Sequence, residues 1–174
     1  MATTCKLIAK NTLGSNTANI EFTSIPGTYT DLVLVVAARS ARAQSVNQSM
    51  LIQFNADTGA NYSQRRLYDE GGSTGSDTNA STTAILATAN GGNSTSNTFA
   101  SNEVYIPNYA GSTNKSVSVT GVVEANATTT DAGIYCNAGL WSNTAAITSI
   151  KIAPSGGFNF VSGSSAYLYG ITKS

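Results

Sequence analysis

Short stretches in which every second residue is hydrophobic recur along the whole chain, and they predict β-strands throughout. Met50, Ile52 and Phe54 fall on one side of such a stretch, and period two is the signal of a strand with one buried face. Residues 32–38 are apolar at every position, which predicts a central strand covered on both faces. We expect the core to contain Leu32, Leu34, Val36, Ile52, Phe54, Val117, Val119, Ile150, Ile152 and Leu168.

Segments rich in Gly, Asn, Ser and Pro separate these stretches at roughly regular spacing, at residues 11–16, 24–30, 55–61, 108–114, 153–159 and 162–166. Many short strands joined by such turns predict an all-β fold, an antiparallel, jelly-roll-like β-sandwich. Strand patterns of the same style continue from end to end, so residues 1–174 are expected to form a single domain.

Two further features complete the prediction of secondary structure. Residues 82–92 could form a turn or two of helix, but no segment has a convincing period of 3.6, and a strand is expected there. The low-complexity segments at residues 69–83 and 90–97 are predicted to be exposed loops.

The composition narrows the functional classes. Hydrophobic residues make up 41% of the chain, charged residues only 10%, and the net charge is zero; soluble domains usually have about 25% charged residues. No basic stripe is present, so nucleic-acid binding is not expected. The longest apolar run is too short for a membrane span. The N-terminal residues do not resemble a secretory signal, so synthesis in a cytoplasm is expected.

Candidate catalytic patterns are weak. The chain contains no histidine, which removes the commonest general base and the usual zinc ligand. Residues 71–75 match a G-x-S-x-G elbow, but a Gly- and Ser-rich segment produces this pattern by chance. Residues 55–59 resemble the start of a calcium loop, although a plain turn is favoured. The candidate carboxylates are not spaced as a hydrolytic pair: Glu21, Asp31, Glu103 and Glu124. No enzyme activity, cofactor or metal is therefore expected.

Cys5 and Cys136 are the only cysteines. Cytoplasmic synthesis favours two half-buried, unpaired thiols. A disulfide between them stays open as an alternative, because pairing depends on the distance between their Cα atoms.

The aromatic residues are the candidates for contact with another molecule: Trp141, Tyr135, Tyr109 and Tyr62. Exposed rings beside Asn-rich segments would suit a carbohydrate, whereas rings usually fill the core or an interface. Trp141 stands between a predicted strand and a polar turn. We expect it to anchor the edge of the core or a contact between subunits, and not to serve as a sugar platform.

Nearly the whole chain resembles a family of virion-associated proteins of tailed bacteriophages, many of them marine and cyanobacterial phages. The resemblance rests on residues 20–40, 54–67, 102–121 and 139–171. Its most specific part is the ending, in which WSNTAAITSI precedes a turn with Gly, Asn and Phe and the closing LYGI. The family likeness implies a non-catalytic β-sandwich built into or onto a virus particle.

The expected function is therefore that of a capsid decoration or cement protein that binds the outside of the assembled phage head. The alternative is a module of a tail or fibre tip that binds host surface carbohydrate. The expected partners are the major capsid protein and further copies of the chain, as a trimer or another small symmetric oligomer; a host glycan belongs to the alternative. Nucleic acid and membranes are not expected partners.

Overall fold

Antiparallel strands account for most of the fold. The computed structural model describes residues 4–126 and 132–172. Within them lie β1 (Thr4–Thr12), β2 (Ile20–Phe22), β3 (Asp31–Ala38), β4 (Asn47–Phe54), β5 (Tyr62–Glu70), β6 (Ser73–Thr82), β7 (Ile85–Asn90), β8 (Ala100–Pro107), β9 (Lys115–Val123), β10 (Gly133–Trp141), β11 (Ile150–Pro154) and β12 (Ser165–Thr172). No helix in these ranges has the length and apolar character needed to cross a membrane.

Two packed sheets give the fold a jelly-roll core. The large sheet has the order β1-β12-β3-β8-β9-β10-β5-β6, and the small sheet has the order β2-β11-β4-β7. Without β5, β6, β9 and β10, the remaining strands, numbered along the chain, follow the orders 1-8-3-6 and 2-7-4-5. This is the jelly-roll arrangement. The fold is thus a jelly roll whose large sheet is extended by two inserted hairpins, β5–β6 and β9–β10.

The predicted all-β sandwich and its core are confirmed. All ten residues expected in the core are buried, and they belong to one cluster between the two sheets. The prediction succeeds because hydrophobic and polar residues alternate along the strands. In β9 and β10, every second side chain is buried. Residues 85–90, where a strand was preferred to a helix, form β7.

One expected loop and one expected covered face are wrong. The predicted loop at residues 69–83 contains the turn and strand of the β5–β6 hairpin, because backbone hydrogen bonds to β5 hold its polar residues extended. In β3, the outward-facing Val35 is exposed, so only one face of this strand is covered. Residues 90–97 do form a loop, but buried Arg39 donates to the carbonyl oxygens of Ser94, at 2.8 Å, and Thr95, at 2.8 Å.

The outer edge of β7 ends the small sheet, and side-chain amides from the large sheet satisfy it. Asn102 on β8 accepts from the Thr88 N–H, at 3.0 Å, and donates to the Thr88 carbonyl oxygen, at 2.8 Å. Gln64 on β5 accepts from the Leu86 N–H, at 2.8 Å, and Asn137 on β10 donates to the Leu86 carbonyl oxygen, at 2.9 Å. These three amides take the place of a fifth strand.

Two glycines on the inner face of the large sheet leave room for this arrangement. A Cβ atom on Gly121 would lie 2.6 Å from Oδ1 of Asn102, its neighbour across the strand pair. A Cβ atom on Gly139 would lie 2.9 Å from the side chain of Ile85. The close approach of β7 to β9 and β10 therefore depends on missing side chains.

We expect Asn102→Ala to lower the free energy of unfolding by about 2–6 kcal/mol, because it leaves two buried backbone groups of Thr88 without partners, at about 1–3 kcal/mol each. Urea denaturation measures the loss. Ser101→Ala is the matched control on the exposed face of the same strand, where changes usually stay within about 0.5 kcal/mol. Equal losses in both variants would contradict the role given to the amide.

Candidate functional site

Trp141 lies in the core, at the end of β10. Its side chain is 1% exposed. The ring centroid is 5.6 Å from that of Phe54 and 6.3 Å from that of Tyr62. The Tyr62 hydroxyl accepts from the Phe54 N–H at 3.0 Å, and burial raises the pKa of Tyr62 to about 12. Three rings from β4, β5 and β10 thus close one end of the sandwich.

Asp57 connects this ring cluster to the turn between β4 and β5. The Trp141 indole N–H donates to Oδ2 of Asp57 at 2.8 Å, and Asn61 donates to the same oxygen at 3.0 Å. The Gly59 N–H donates to Oδ1 at 2.9 Å. The hydrogen bonds from Trp141 and Asn61 hold the pKa of Asp57 below its ordinary value near 3.8. The segment with a calcium-loop pattern is therefore a turn whose carboxylate anchors Trp141.

The other two candidate rings are buried as well. Tyr109 donates its hydroxyl proton to the Pro26 carbonyl oxygen, and burial raises its pKa. Tyr135 lies in a small second cluster inside the hairpin extension, 6.4 Å from the ring of Tyr68. Its hydroxyl accepts from Asn47, and burial raises its pKa.

The four candidate rings do not offer a stacking face to a sugar. All four candidate rings are buried within the protomer: Tyr62, Tyr109, Tyr135 and Trp141. A sugar that stacks on a ring needs an accessible ring face, and these faces pack against core side chains instead. For Trp141 the position agrees with an anchor at the edge of the core. A role of the four residues in subunit contacts stays a prediction.

Asp31 and Glu103, two of the candidate carboxylates, lie too far apart for a hydrolytic pair. Asp31 is buried and accepts from the Tyr105 hydroxyl, at 2.8 Å, and from the Asn108 N–H, at 2.9 Å. The register of β3 and β8 separates Asp31 from Glu103 by four residues along the strands, or roughly 13 Å. Glycosidases place the two groups about 5–9.5 Å apart. In the described ranges no three Cys, Asp or Glu residues form a cluster suited to a metal ion.

The two cysteines lie far apart on the large sheet. Cys5 on β1 and Cys136 on β10 are both unpaired and exposed, so the expectation of half-buried thiols is wrong. Five strand spacings separate β1 from β10, or roughly 24 Å. A disulfide between Cys5 and Cys136 within one protomer is excluded, because its Cα atoms would need to lie within about 7 Å.

The outer face of the large sheet is the candidate functional surface, since no layer of the described chain covers it. At the jelly-roll end it presents what we name the tyrosine strip: Leu7, Val35, Tyr167 and Tyr169. Register places Leu7 beside Tyr169 and Tyr167 beside Val35. Leu7 is 44% exposed and Val35 is 36% exposed. This strip is apolar and aromatic, with Lys10 beside Tyr167 at one border and Glu103 beside Val35 at the other.

A concave region of about 650 Å³ lies on the same face, across β8, β9, β10, β5 and β6. We name it the hydroxyl cleft, after the side chains Ser63, Thr78, Ser116 and Ser118 that line it. Small residues in the middle of the sheet form its floor, and the larger side chains of Tyr105 and Arg65 border it. Arg65 donates to the Thr78 hydroxyl at 3.1 Å.

Beside the cleft lies a second hydrophobic surface, the apolar patch of Leu67, Val122, Ile134 and Cys136. Leu67 is 65% exposed and Ile134 is 62% exposed. Leu67 pairs across strands with Cys136, and Val122 pairs with Ile134. The patch is therefore continuous over β9, β10 and β5.

Sequence reasoning missed these surfaces, although part of the signal was present. Because β3 has apolar residues at its outward positions as well, the sequence pattern predicted a strand covered on both faces and not an exposed apolar surface. Leu67 and Ile134 stand as single hydrophobic residues in polar surroundings, and scattered exposed residues of this kind are common. Only the register of β9, β10 and β5 brings them together.

We expect Trp141→Ala to lower the free energy of unfolding by about 3–5 kcal/mol, the usual cost of truncating a buried aromatic. Trp141→Phe should cost less, because it keeps most of the ring contacts and loses only the hydrogen bond to Asp57. Leu67→Ala is the control at an exposed position and should have little effect. A Trp141→Ala protein that keeps its stability but loses binding to a glycan would contradict the structural role.

The lowered pKa of Asp57 predicts a loss of stability in acid. A carboxyl group whose pKa is lower in the folded state stabilises the fold above its unfolded pKa, near 3.8. That contribution disappears as the pH falls through the folded value. Urea unfolding between pH 6 and pH 2 should therefore show a steeper decline for the wild type than for Asp57→Asn. Parallel declines in the two proteins would contradict the contribution of Asp57.

Comparisons with known proteins do not assign this chain to a family. No family model matches it, and no curated protein matches it. Among solved structures, CG-16, a homodimeric agglutinin from chicken liver, aligns with 78% of this chain and 99% of its own, at 11% identity and a TM-score of 0.24. A likeness at this level carries no argument, so the description of the site rests on its own geometry.

Proposed function

We propose that this chain is a non-catalytic structural protein of a tailed bacteriophage virion, a decoration protein that binds the outside of the assembled head. The tyrosine strip is the observation that carries the proposal. It is an uncovered surface of Leu, Val and Tyr side chains on a rigid sheet. Tyrosine and apolar residues are enriched at the centres of protein interfaces, whereas Lys and Glu are depleted there.

The low charge of the chain supports the same function. Charged residues make up 10% of the sequence, and an interface with few charged groups costs less desolvation when it is buried. The partner of the strip is a protein surface of matching apolar character. In a phage head, the abundant protein surface is the shell of the major capsid protein. The family resemblance of the sequence points to the same setting.

Self-association is a second part of the proposal. A small symmetric oligomer, for which the sequence suggests a trimer, would present several copies of the tyrosine strip to a repeating shell. Several weak contacts held in one assembly raise the overall affinity without any new contact. This would let a chain of modest size attach durably.

The alternative function is that of a tail or fibre-tip module that binds host surface carbohydrate. The hydroxyl cleft favours it, because hydroxyl groups beside Tyr105 and Arg65 could receive a polar ligand. The number of copies per particle separates the two functions. A decoration protein is present in hundreds of copies and a fibre tip in tens or fewer, and quantitative mass spectrometry of purified virions counts them.

We expect Leu7→Lys to reduce the amount of protein bound to heads that lack it by tenfold or more, because it places a charge within an apolar contact. Leu7 is already 44% exposed, so the fold should tolerate the change. Thr23→Lys, at an exposed position after β2 in the other sheet, is the control. Equal attachment of both variants would refute docking through the strip.

A further inference from the structure

The apolar patch lies between two opposite charges. Along β5, the outward-facing residues are Arg65, Leu67 and Asp69, with the exposed Leu67 in the middle. The ion pair observed in the described part of the chain joins Arg66 to Asp77, at 2.6 Å. Neither Arg65 nor Asp69 therefore has an ion-pair partner among those residues. The hydrophobic centre and its two flanking charges have the pattern of a self-complementary surface.

We propose that the apolar patch binds the same patch of a second copy of this chain, across a two-fold axis parallel to the row of Leu67, Cys136 and Thr120. This row crosses β5, β10 and β9 in register. The inference deepens the self-association part of the proposed function and rests on that part alone. It replaces the expected trimer by a dimer.

The two-fold axis follows from the order of the charges. An axis perpendicular to the strands runs β5 of the second copy in the opposite direction, so Leu67 faces Leu67 and Arg65 faces Asp69, twice per dimer. An axis along β5 would place Arg65 against Arg65 and Asp69 against Asp69, and an axis along β10 would place Arg65 over Ser118 and Asp69 over Val122. The first opposes like charges and the second leaves both charges unpaired, which favours the perpendicular axis.

The contacts across the axis fit the packing of two sheets. Packed sheets lie about 10 Å apart, a gap that the side chains of Arg65 and Asp69 can bridge together. The same rotation places Ala138 of one copy over Ile134 of the other, so a small residue receives a large one. Glu103 lies on the same row, two strands beyond Cys136, so the Glu103 side chains of the two copies face each other at the border of the contact, where water and salt screen their repulsion.

The size of the patch predicts the strength of the dimer. The apolar patch together with the residues around it on β9, β10, β5 and β6, about seven residues of each strand, covers a flat area of roughly 450 Å² per copy. Stable complexes usually bury about 800 Å² per partner. We therefore expect a reversible dimer that forms at micromolar or higher concentrations of the chain.

Sedimentation equilibrium of the purified chain, from about 1 μM to 1 mM, tests the proposal together with charge reversal. Arg65→Asp and Asp69→Arg should each weaken dimerisation tenfold or more, because like charges then face each other. The double variant Arg65→Asp/Asp69→Arg should return to within threefold of the wild type. Leu67→Lys, at a residue that is 65% exposed, should abolish the dimer without loss of thermal stability.

Cross-linking tests the position of the axis. Cys136 lies on the row, so the Cα atoms of the two Cys136 residues should lie about 10 Å apart with their thiols facing each other, which suits a bismaleimide but exceeds the Cα separation of about 7 Å that a disulfide allows. The Cys5→Ser variant, with Cys136 as its remaining thiol, should give a cross-linked dimer. The Cys136→Ser variant, which keeps the exposed Cys5, should give none.

A chain that stays monomeric at 1 mM, a trimer, or a double variant that fails to recover would overturn the inference. The outcome is separable from that of the proposed function, because these measurements use the isolated chain. Leu7→Lys should leave the dimer intact while it weakens attachment to heads. Normal attachment of a chain that never dimerises would refute the dimer alone, and a dimer that never binds heads would refute the decoration function alone.

Discussion

The side-chain amides that satisfy the outer edge of β7 determine the shape of this protein. Asn102, Gln64 and Asn137 bind the backbone groups of Leu86 and Thr88, which would otherwise be buried without partners or available to a further strand. An unsatisfied buried backbone group costs about 1–3 kcal/mol. An open edge also invites pairing with other chains. The amides therefore end the small sheet at β7 while the large sheet continues.

The inserted hairpins have a role on each face of the large sheet. Two of the three amides, Gln64 and Asn137, come from β5 and β10, so the hairpins help to complete the jelly roll on their inner face. On their outer face, the same strands present the hydroxyl cleft and the apolar patch. One structural addition thus supplies an internal support and an external surface, because alternate residues of a strand point to opposite faces.

The proposed functions divide the outer face of the large sheet into two parts. The tyrosine strip, on β1, β12 and β3, is assigned to the virus shell, and the apolar patch, on β9, β10 and β5, is assigned to a second copy of the chain. Strand β8 lies between the two surfaces, so each surface can be changed without the other. This separation lets single exposed residues, Leu7 and Leu67, test the two contacts independently.

The sequence by itself determined the all-β sandwich and its core, because hydrophobic and polar residues alternate along each strand, and this local pattern shows which side chains are buried. It also suggested the structural place of Trp141, although the partner of its N–H, Asp57, lies 84 positions away in the chain. Only the tertiary structure decided that residues 73–82 form a strand, since their polar side chains carry no alternation and β5 supplies the hydrogen bonds. The same holds for Asn102, Gln64 and Asn137. In the sequence they are polar residues within strands, and only the folded chain shows that their amides bind the edge of β7. The exposed hydrophobic surfaces likewise form only when the strands pair, because residues that are neighbours across strands are distant along the chain.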